Sequence, residues 1–273
     1  MRLMFAVIGV VITQLIFPVS AFAQTPPAPL QPTSNWEVNY AENECRLLRQ
    51  FGTGEQMVIL RFTRASSPSY FDMVLAGPAI PDLPLRPDTT LRLDPQGAEI
   101  SSDGYSMQIP GRTEQFLRLF DANSVFLAQF NANQILQIDV ENTSISLNLL
   151  NVRAALTALQ TCHDDLMTSW GFDPVAYRAL RTPPQASGSE ATWVTTSDYP
   201  STEASGITTM RLRIGLNGRV SECSVVVSSG TDLLDSAACS ALTRRARYDP
   251  AIGADGAPTE AMMLKRVRWQ LPN

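Results

Sequence analysis

The pattern of hydrophobic and polar residues changes twice along the chain. From about residue 44 to residue 147, apolar residues recur mostly at every second position, as Val58, Leu60 and Phe62 do, and polar turn clusters interrupt them. Alternation with a period of two is typical of strands that bury one face. This part of the chain is therefore predicted to form a series of short strands.

The clearest of these strands form a hairpin. Residues 44–51 and 55–64 flank the turn Gly52-Thr53-Gly54, and a glycine-containing turn between two alternating segments predicts two paired strands. Further strands are predicted over Tyr70–Leu75, Thr90–Asp94, Tyr105–Ile109, Glu114–Phe120 and Ile135–Leu147. Residues 124–130 fit a strand or a helix equally well.

A helical pattern follows between Asn148 and Trp170. Apolar residues there recur at steps of three and four, which predicts a helix with one buried face. Gly171 is a natural helix stop, and Asp173-Pro174 predicts the start of a second, short helix that reaches about Leu180. Residues 35–180 are thus predicted to form a mostly β N-terminal domain closed by a C-terminal helix.

Two segments lack periodicity. Residues 24–34 are rich in proline and are expected to run extended as an entry segment. Residues 181–197 are rich in Pro, Gly, Ser and Thr and are expected to be a linker. Trp193 lies within this linker, and the sequence does not decide which domain it packs against.

Residues 198–273 show the second change of pattern. An alternating strand over Ile207–Leu216 meets the hairpin signal Asn217-Gly218, in which both positions tolerate positive φ. The return strand ends at the turn Ser228-Ser229-Gly230, and Thr231 or Asp232 then caps a helix. A final strand is predicted from Glu260 to Leu271. The order ββαβ predicts a small antiparallel sheet with one helix, so the whole chain is assigned to the α+β class.

The first residues are typical of a secretory signal peptide over 1–23. Arg2 precedes an apolar segment from Phe5 to Phe17, and Ala21-Phe22-Ala23 forms a cleavage pattern before Gln24. The protein is therefore expected to be exported, with no stable membrane anchor once the leader is cleaved. The alternative is an uncleaved inner-membrane anchor formed by residues 5–23.

Four cysteines in an exported chain favour two disulfides over a metal site. Cys45 on an early strand and Cys162 on the predicted helix are expected to join sheet and helix. His163 is the only histidine and no C-x-x-C is present, so neither a metal site nor a cofactor site is expected. The sequence His163-Asp164-Asp165 is interpreted as a solvated charged turn of the helix, off its apolar face.

The composition also argues against several functions. The formal net charge is −5 and the pI is about 5.0, whereas nucleic-acid-binding proteins carry a clustered basic face. No G-x-S-x-G motif accompanies the single histidine, so no catalytic residues are assigned and an enzyme is not expected.

The last quarter of the chain carries an ordered series of motifs. These are Tyr199-Pro200, Leu212-Arg213-Ile214, Asn217-Gly218-Arg219-Val220, Val227-Ser228-Ser229-Gly230, Leu234-Asp235, Ala237-Ala238 and Arg247-Tyr248-Asp249-Pro250-Ala251, followed by an apolar strand. In this order they resemble the C-terminal domain of the TonB family of bacterial energy transducers, over residues 198 to about 272. The N-terminal domain resembles no family that its motifs identify.

The resemblance implies a periplasmic domain that docks outer-membrane receptors by adding a receptor strand to the edge of its sheet. The edge residues that it assigns to peptide binding are Ala261, Met263, Lys265, Val267, Trp269 and Leu271. The basic residues Lys265, Arg266 and Arg268 have an alternative role, which is to protect the edge from unwanted pairing. In the same fold Cys223 on the return strand and Cys239 on the helix face each other and are expected to form a disulfide.

The chain also departs from the family. Transducers keep an N-terminal membrane helix and a long proline-rich spacer, whereas this chain has a cleavable leader and a folded domain. The resemblance therefore predicts binding of a receptor or another envelope protein or peptide, with a link to TonB-dependent transport, but not force transmission. The alternative is a structural protein of the envelope that uses its edge strand for self-association, as in a homodimer.

Overall fold

A computed structural model describes residues 28–64, 70–95, 97, 99–123, 129–130, 134–202 and 204–270. The predicted signal peptide, Leu271 and residues 124–128 of the ambiguous segment lie outside this set.

The described residues of the N-terminal region form ten strands and two helices. The strands are β1 (Glu37–Tyr40), β2 (Cys45–Phe51), β3 (Val58–Arg64), β4 (Tyr70–Gly77), β5 (Thr89–Asp94), β6 (Ile100–Ser101), β7 (Gly104–Gln108), β8 (Gln115–Asn123), β9 (Ile135–Val140) and β10 (Thr143–Asn148), and the helices are α1 (Val152–Ser169) and α2 (Pro174–Arg178). A 3-10 turn at Gly54–Gln56 lies in the first hairpin.

These strands form two antiparallel sheets, in the orders β1-β2-β3-β4-β8-β7 and β10-β9-β5-β6. Their inward-facing leucines, such as Leu60 and Leu117 in the first sheet and Leu93 and Leu136 in the second, are fully buried in one common core. The predicted alternation is confirmed, because every second residue of β2 is buried.

Two predicted boundaries shift for local reasons. The segment Ile135–Leu147 contains two paired strands, because the chain turns at Glu141, whose φ is 50°. Asn148 still pairs with Ile135 in that hairpin. Helix α1 therefore begins at Val152 instead of Asn148.

The C-terminal region contains β11 (Gln185–Ala186), β12 (Gly206–Ile214), β13 (Val220–Val227), helix α3 (Asp232–Arg245), β14 (Tyr248–Asp249), β15 (Ala251–Ile252), β16 (Pro258–Thr259) and β17 (Ala261–Trp269), with 3-10 turns at Glu190–Thr192 and Thr196–Asp198. Its main sheet has the order β13-β12-β17 and is antiparallel throughout. The predicted ββαβ order and the α+β class are confirmed.

One face of this sheet packs on α3 and forms a core of its own. Met210 and Leu212 of β12 meet Leu234, Ala238 and Leu242 of the helix, and all five are buried. The helix lies over β13 and β12, so it leaves the adjoining face of β17 to be covered by another part of the chain.

Residues 181–197, expected to act as a linker, and Tyr199 just after them supply that cover. Gln185 and Ala186 pair with β14, and Trp193 is buried against Tyr248, with ring centroids 4.9 Å apart. Tyr199 meets the ring of Trp269 edge-on at 5.5 Å. The segment therefore packs against the C-terminal core over much of its length.

The other face of the sheet meets the N-terminal region. Leu264 of β17 shares a buried cluster with Met167 and Phe172, from the end of α1 and the residues after it. Met262 and Val226 pack at its border. The small sheet is thus covered by α3 and residues 193–199 on one face, and by the end of α1 on the other.

Candidate peptide-binding edge

Strand β17 pairs regularly with β12. Their register runs without interruption from Gly206 opposite Trp269 to Ile214 opposite Ala261. Within the described residues no strand pairs with the other side of β17. An edge strand of nine residues presents a row of backbone N–H and C=O groups to an incoming chain.

The residues assigned to peptide binding lie along this strand. Ala261, Met263, Lys265, Val267 and Trp269 occupy alternate positions, and Leu271 lies outside the described residues. Their side chains point to the α3 side of the sheet, where Val267 and Trp269 are buried in the core. The side chains of these two residues therefore stabilise the strand that forms the edge.

Lys265 has well-defined partners. Its ammonium group forms an ion pair with Glu190 and lies 5.6 Å from the centroid of the Trp193 ring. Cation–π contacts of this kind add to the pairing. Glu190 and Trp193 both belong to the segment that covers β17. Lys265 therefore binds this segment to the edge strand.

A buried set of hydrogen bonds connects β17 to α3. The Trp269 indole N–H donates to Thr208 Oγ1 at 3.2 Å, and Thr208 Oγ1 donates to Asp235 Oδ1 at 2.8 Å. Asp235 also accepts from Ser228 Oγ at 2.6 Å and from the backbone N–H of Ser229 at 2.9 Å. The carboxylate thereby fixes the turn between β13 and the helix to the end of the edge strand.

These donors also decide the charge state of Asp235. Burial by itself raises the pKa of its carboxyl, but the hydrogen bonds from Ser228, Ser229 and Thr208 outweigh burial and hold the pKa below its ordinary value. Asp235 is therefore an ionised acceptor at neutral pH, and it stands in the first turn of α3, where negative charge is favoured.

The opposite face of β17 carries two arginines, Arg266 and Arg268, that are exposed as whole residues. Arg266 lies close enough to the N-terminal region that desolvation lowers the pKa of its guanidinium. The negative charge of Asp72 partly opposes this effect by raising the same pKa. The site predicted from the sequence did not include the residues of this face. Side chains alternate along a strand, so those of this face also lie beside any strand added to β17. The far half of the edge is therefore basic on this face.

Helix α1 meets β12 through Arg211. Its Nη1 donates to the carbonyl oxygens of Trp170 and Gly171, both at 3.0 Å. Gly171 has a φ of 69°, and a Cβ atom on it would collide with the guanidinium. The glycine thus allows both the helix stop and the approach of Arg211.

The interpretation of His163 as part of a solvated turn is wrong. His163 is fully buried on α1, next to the disulfide residue Cys162, whereas Asp165 is exposed. The apolar face continues from Leu159 to His163 and Met167 in steps of four, a spacing that places them on one side of a helix. Asp164 instead forms two hydrogen bonds with Arg178 of α2, at 2.8 and 3.0 Å.

Both expected disulfides are present. Cys45 on β2 is bonded to Cys162 on α1, and Cys223 on β13 is bonded to Cys239 on α3. The first joins a sheet to the helix that covers it, and the second joins the edge strand β13 to its helix.

The part of the chain that the structure describes contains no group of three or more His, Cys, Asp or Glu residues arranged to hold a metal ion. In the same described ranges no helix has the length and apolar character needed to cross a membrane.

The comparisons with known proteins concern the C-terminal region. Residues 200–271 match the family model described as the C-terminal region of the Gram-negative bacterial TonB protein. Searches among curated proteins and among solved structures each found no match. The resemblance is thus confirmed for this region, which is TonB-like. Domains of this family are periplasmic and non-enzymatic and interact with outer-membrane receptors.

Proposed function

We propose that this protein is an exported envelope protein that captures an extended segment of an outer-membrane receptor, or of another envelope protein, by strand addition to β17. The observation that carries the proposal is the regular nine-residue ladder between β17 and β12. The other side of β17 has no strand partner among the described residues. In strand addition the main-chain hydrogen bonds supply affinity, and alternate side chains supply selectivity.

The opposite edge strand, β13, is less suited to a guest. Its register with β12 is irregular between Thr209 and Met210 and again between Arg213 and Ile214. Bulges of this kind twist an edge and interrupt its row of hydrogen-bonding groups. These irregularities favour β17 as the binding edge.

Export and the TonB-like region together support a periplasmic binding role. With residues 1–23 removed as a signal peptide, the protein acts as an adaptor for TonB-dependent transport. The N-terminal region packs against the face of the sheet opposite α3, through the cluster of Met167, Phe172 and Leu264. This packing fixes the orientation of β17.

Self-association through the same edge is the second candidate. Two copies of β17 paired antiparallel about its centre place Lys265 directly opposite Lys265 of the other copy and Arg266 diagonally across from Arg266. Like charges on adjacent strands are destabilising. The basic centre of the strand therefore favours a foreign guest over a second copy of the chain.

Lys265 makes the proposal testable, because it is the only lysine in the chain. Reductive methylation with a ¹³C label gives one lysine NMR signal from the middle of the edge. Periplasmic segments of outer-membrane receptors, titrated into purified protein of residues 24–273, are expected to shift this signal. Light scattering on the same samples separates guest capture from dimerisation, which predicts a mass that doubles with concentration.

Methylated guest peptides test strand addition itself. Methylation of the backbone nitrogens at one set of alternate guest positions removes the hydrogen bonds to β17, whereas methylation of the other set leaves them intact. Strand addition predicts that affinity is lost with the first set and kept with the second. Equal tolerance of both sets would overturn the proposal.

A further inference from the structure

A cavity opens beside the beginning of β17, where the N-terminal and C-terminal regions meet. Its apolar lining consists of Phe172, Ala176, Tyr177 and Leu180 on one side and Ala261 and Met262 on the other. The first four belong to α2 and the residues around it. This segment precedes residues 200–271, so the cavity is a feature that this chain adds to its TonB-like region.

The cavity suits a single apolar side chain. Its volume is about 220 Å³, and an apolar cavity of about 150 Å³ is large enough to take up benzene. A leucine, isoleucine or phenylalanine side chain therefore fits. The backbone of Ala261 and Met262 is the first part of the edge strand, so a guest strand on β17 passes the mouth of the cavity.

Helix α2 holds its wall of the cavity in place. The Asp173 carboxylate accepts hydrogen bonds from the backbone N–H groups of Val175 and Ala176 at 3.0 and 2.9 Å. Arg178, at the other end of the helix, is bound to Asp164 of α1. A short helix fixed at both ends presents a formed pocket and loses little entropy when a ligand enters.

The charges around the cavity differ from those at the far end of β17. Asp173 and Glu260 are exposed acidic residues at its rim. The rim residue Arg213 forms an ion pair with Glu222 at 3.2 Å, and Glu222 also pairs with Arg211. Among the lining residues the two carboxylates outnumber this one arginine. The rim is therefore acidic, whereas Arg266 and Arg268 make the same face basic six and eight residues beyond Glu260. At about 3.3 Å per residue, six residues span about 20 Å.

We infer that the cavity is a specificity pocket for the guest strand. It takes an apolar anchor side chain of the guest; a basic guest residue lies beside the anchor, facing Asp173 and Glu260, and an acidic guest residue lies about six positions away, facing Arg266 and Arg268. The inference rests on the proposed strand addition and names the chemistry of the peptide that β17 selects. Electrostatic complementarity of this kind sets register and partner choice.

Three nine-residue peptides test the anchor and the charges. The first carries leucine and lysine near one end and glutamate six positions from the lysine, the second replaces the leucine by serine, and the third exchanges lysine and glutamate. Each is made in both chain directions, because the geometry fixes the order of charges along β17 but not the direction of the guest. We expect an affinity at least about tenfold lower for the second peptide, as burial of one apolar side chain implies. The third peptide is also expected to bind more weakly, because its charges face like charges on the protein.

Protein variants separate the pocket from the edge. Ala176→Leu fills the cavity from an exposed position on α2, and the matched control Ala179→Leu adds the same group at the C-cap of that helix, outside the lining. Ala176→Leu is expected to weaken the leucine peptide about tenfold and to leave the serine peptide unchanged. Glu260→Lys is expected to weaken the lysine peptide and to strengthen the exchanged peptide.

The outcomes distinguish this inference from the proposed function. If all three peptides slow amide exchange in β17 equally, and Ala176→Leu binds them as wild type does, strand addition stands and the pocket is overturned. If Ala176→Leu prevents binding of the leucine peptide, but the bound peptide does not slow amide exchange in β17 of the wild type, the pocket binds without strand addition. The proposed function then fails. If none of the peptides binds in either direction, both are overturned.

Discussion

Arg211 lies with its Nη1 atom 3.0 Å from the carbonyl oxygen of Gly171. A strand of the TonB-like sheet thereby caps the C-terminal end of a helix from the N-terminal region. The last carbonyls of a helix lack partners inside it, and a cation is favoured at that end. The two regions are therefore joined by a polar capping contact as well as by apolar packing.

The first prediction concerns this contact. Arg211→Ala leaves the carbonyls of Trp170 and Gly171 without their donor, and we expect the free energy of unfolding to fall by about 1–3 kcal/mol. Amide exchange after residue 170 should also become faster. Arg219→Ala, which removes an exposed arginine from the neighbouring turn, serves as the control in urea unfolding. Equal stability of the two variants would show that the cap contributes nothing.

The second prediction concerns Trp193. This side chain is buried beside Tyr248 and Lys265, although it precedes the family match. We expect Trp193→Ala to lower the free energy of unfolding by about 3–5 kcal/mol, the usual cost of deleting a buried aromatic ring. Glu190→Gln, which breaks only the ion pair to Lys265, should cost at most about 1 kcal/mol. Denaturant unfolding measures both, and a neutral Trp193→Ala would show that residues 187–199 are a passive linker.

The third prediction concerns pH. The pKa of Asp235 is below its ordinary value in the folded protein, so its contribution is fully present above the unfolded pKa of about 3.9 and is lost as pH falls through the folded pKa. Asp235→Asn is expected to cost about 1–3 kcal/mol at neutral pH, and the difference from wild type should shrink below about pH 4. Thermal unfolding between pH 2 and pH 7 measures it.

A matched control for this variant is Asp232→Asn. Asp232 stands in the same first turn of α3 but is exposed, so its replacement should have little effect. A difference between wild type and Asp235→Asn that stays constant down to pH 2 would contradict the assigned ionisation.

The fourth prediction compares the two disulfides. Cys45 and Cys162 are 117 positions apart, and Cys223 and Cys239 are 16 apart. In the chain-entropy model the longer loop contributes about 4–5 kcal/mol and the shorter about 3 kcal/mol. Replacing each pair by serine should lower stability in that order, and reduced wild type should match the loss of both pairs. The reverse order would show that native packing outweighs loop length.

The sequence predicted those parts of the fold that depend on local signals. Alternating residues predicted the strands β2, β3 and β12, and Asn217-Gly218 predicted a hairpin turn. Each of these signals lies within a few neighbouring residues. Such signals need no knowledge of the rest of the chain. The ordered motifs of residues 198–272 are also local, and their resemblance to a known family identified the fold of this region.

The features that the sequence did not predict depend on distant residues. Residues 181–197 have the composition of a linker, and only the fit of Trp193 beside Tyr248 and Lys265 reveals that they cover β17. The cavity forms because Phe172 and Tyr177 meet Ala261 and Met262, about ninety positions later. His163 is different, since its spacing from Leu159 already placed it on the buried face and its polarity led to the wrong assignment.

The most direct measurement is residue-resolved amide exchange across Ala261–Trp269 in the full protein, with and without a saturating receptor segment. Strand addition predicts that alternate amides of this strand, those that do not already pair with β12, become strongly protected, while exchange in β13 is unchanged. Unchanged exchange throughout β17 in the presence of a bound segment, with protection appearing elsewhere, would contradict the proposed binding edge.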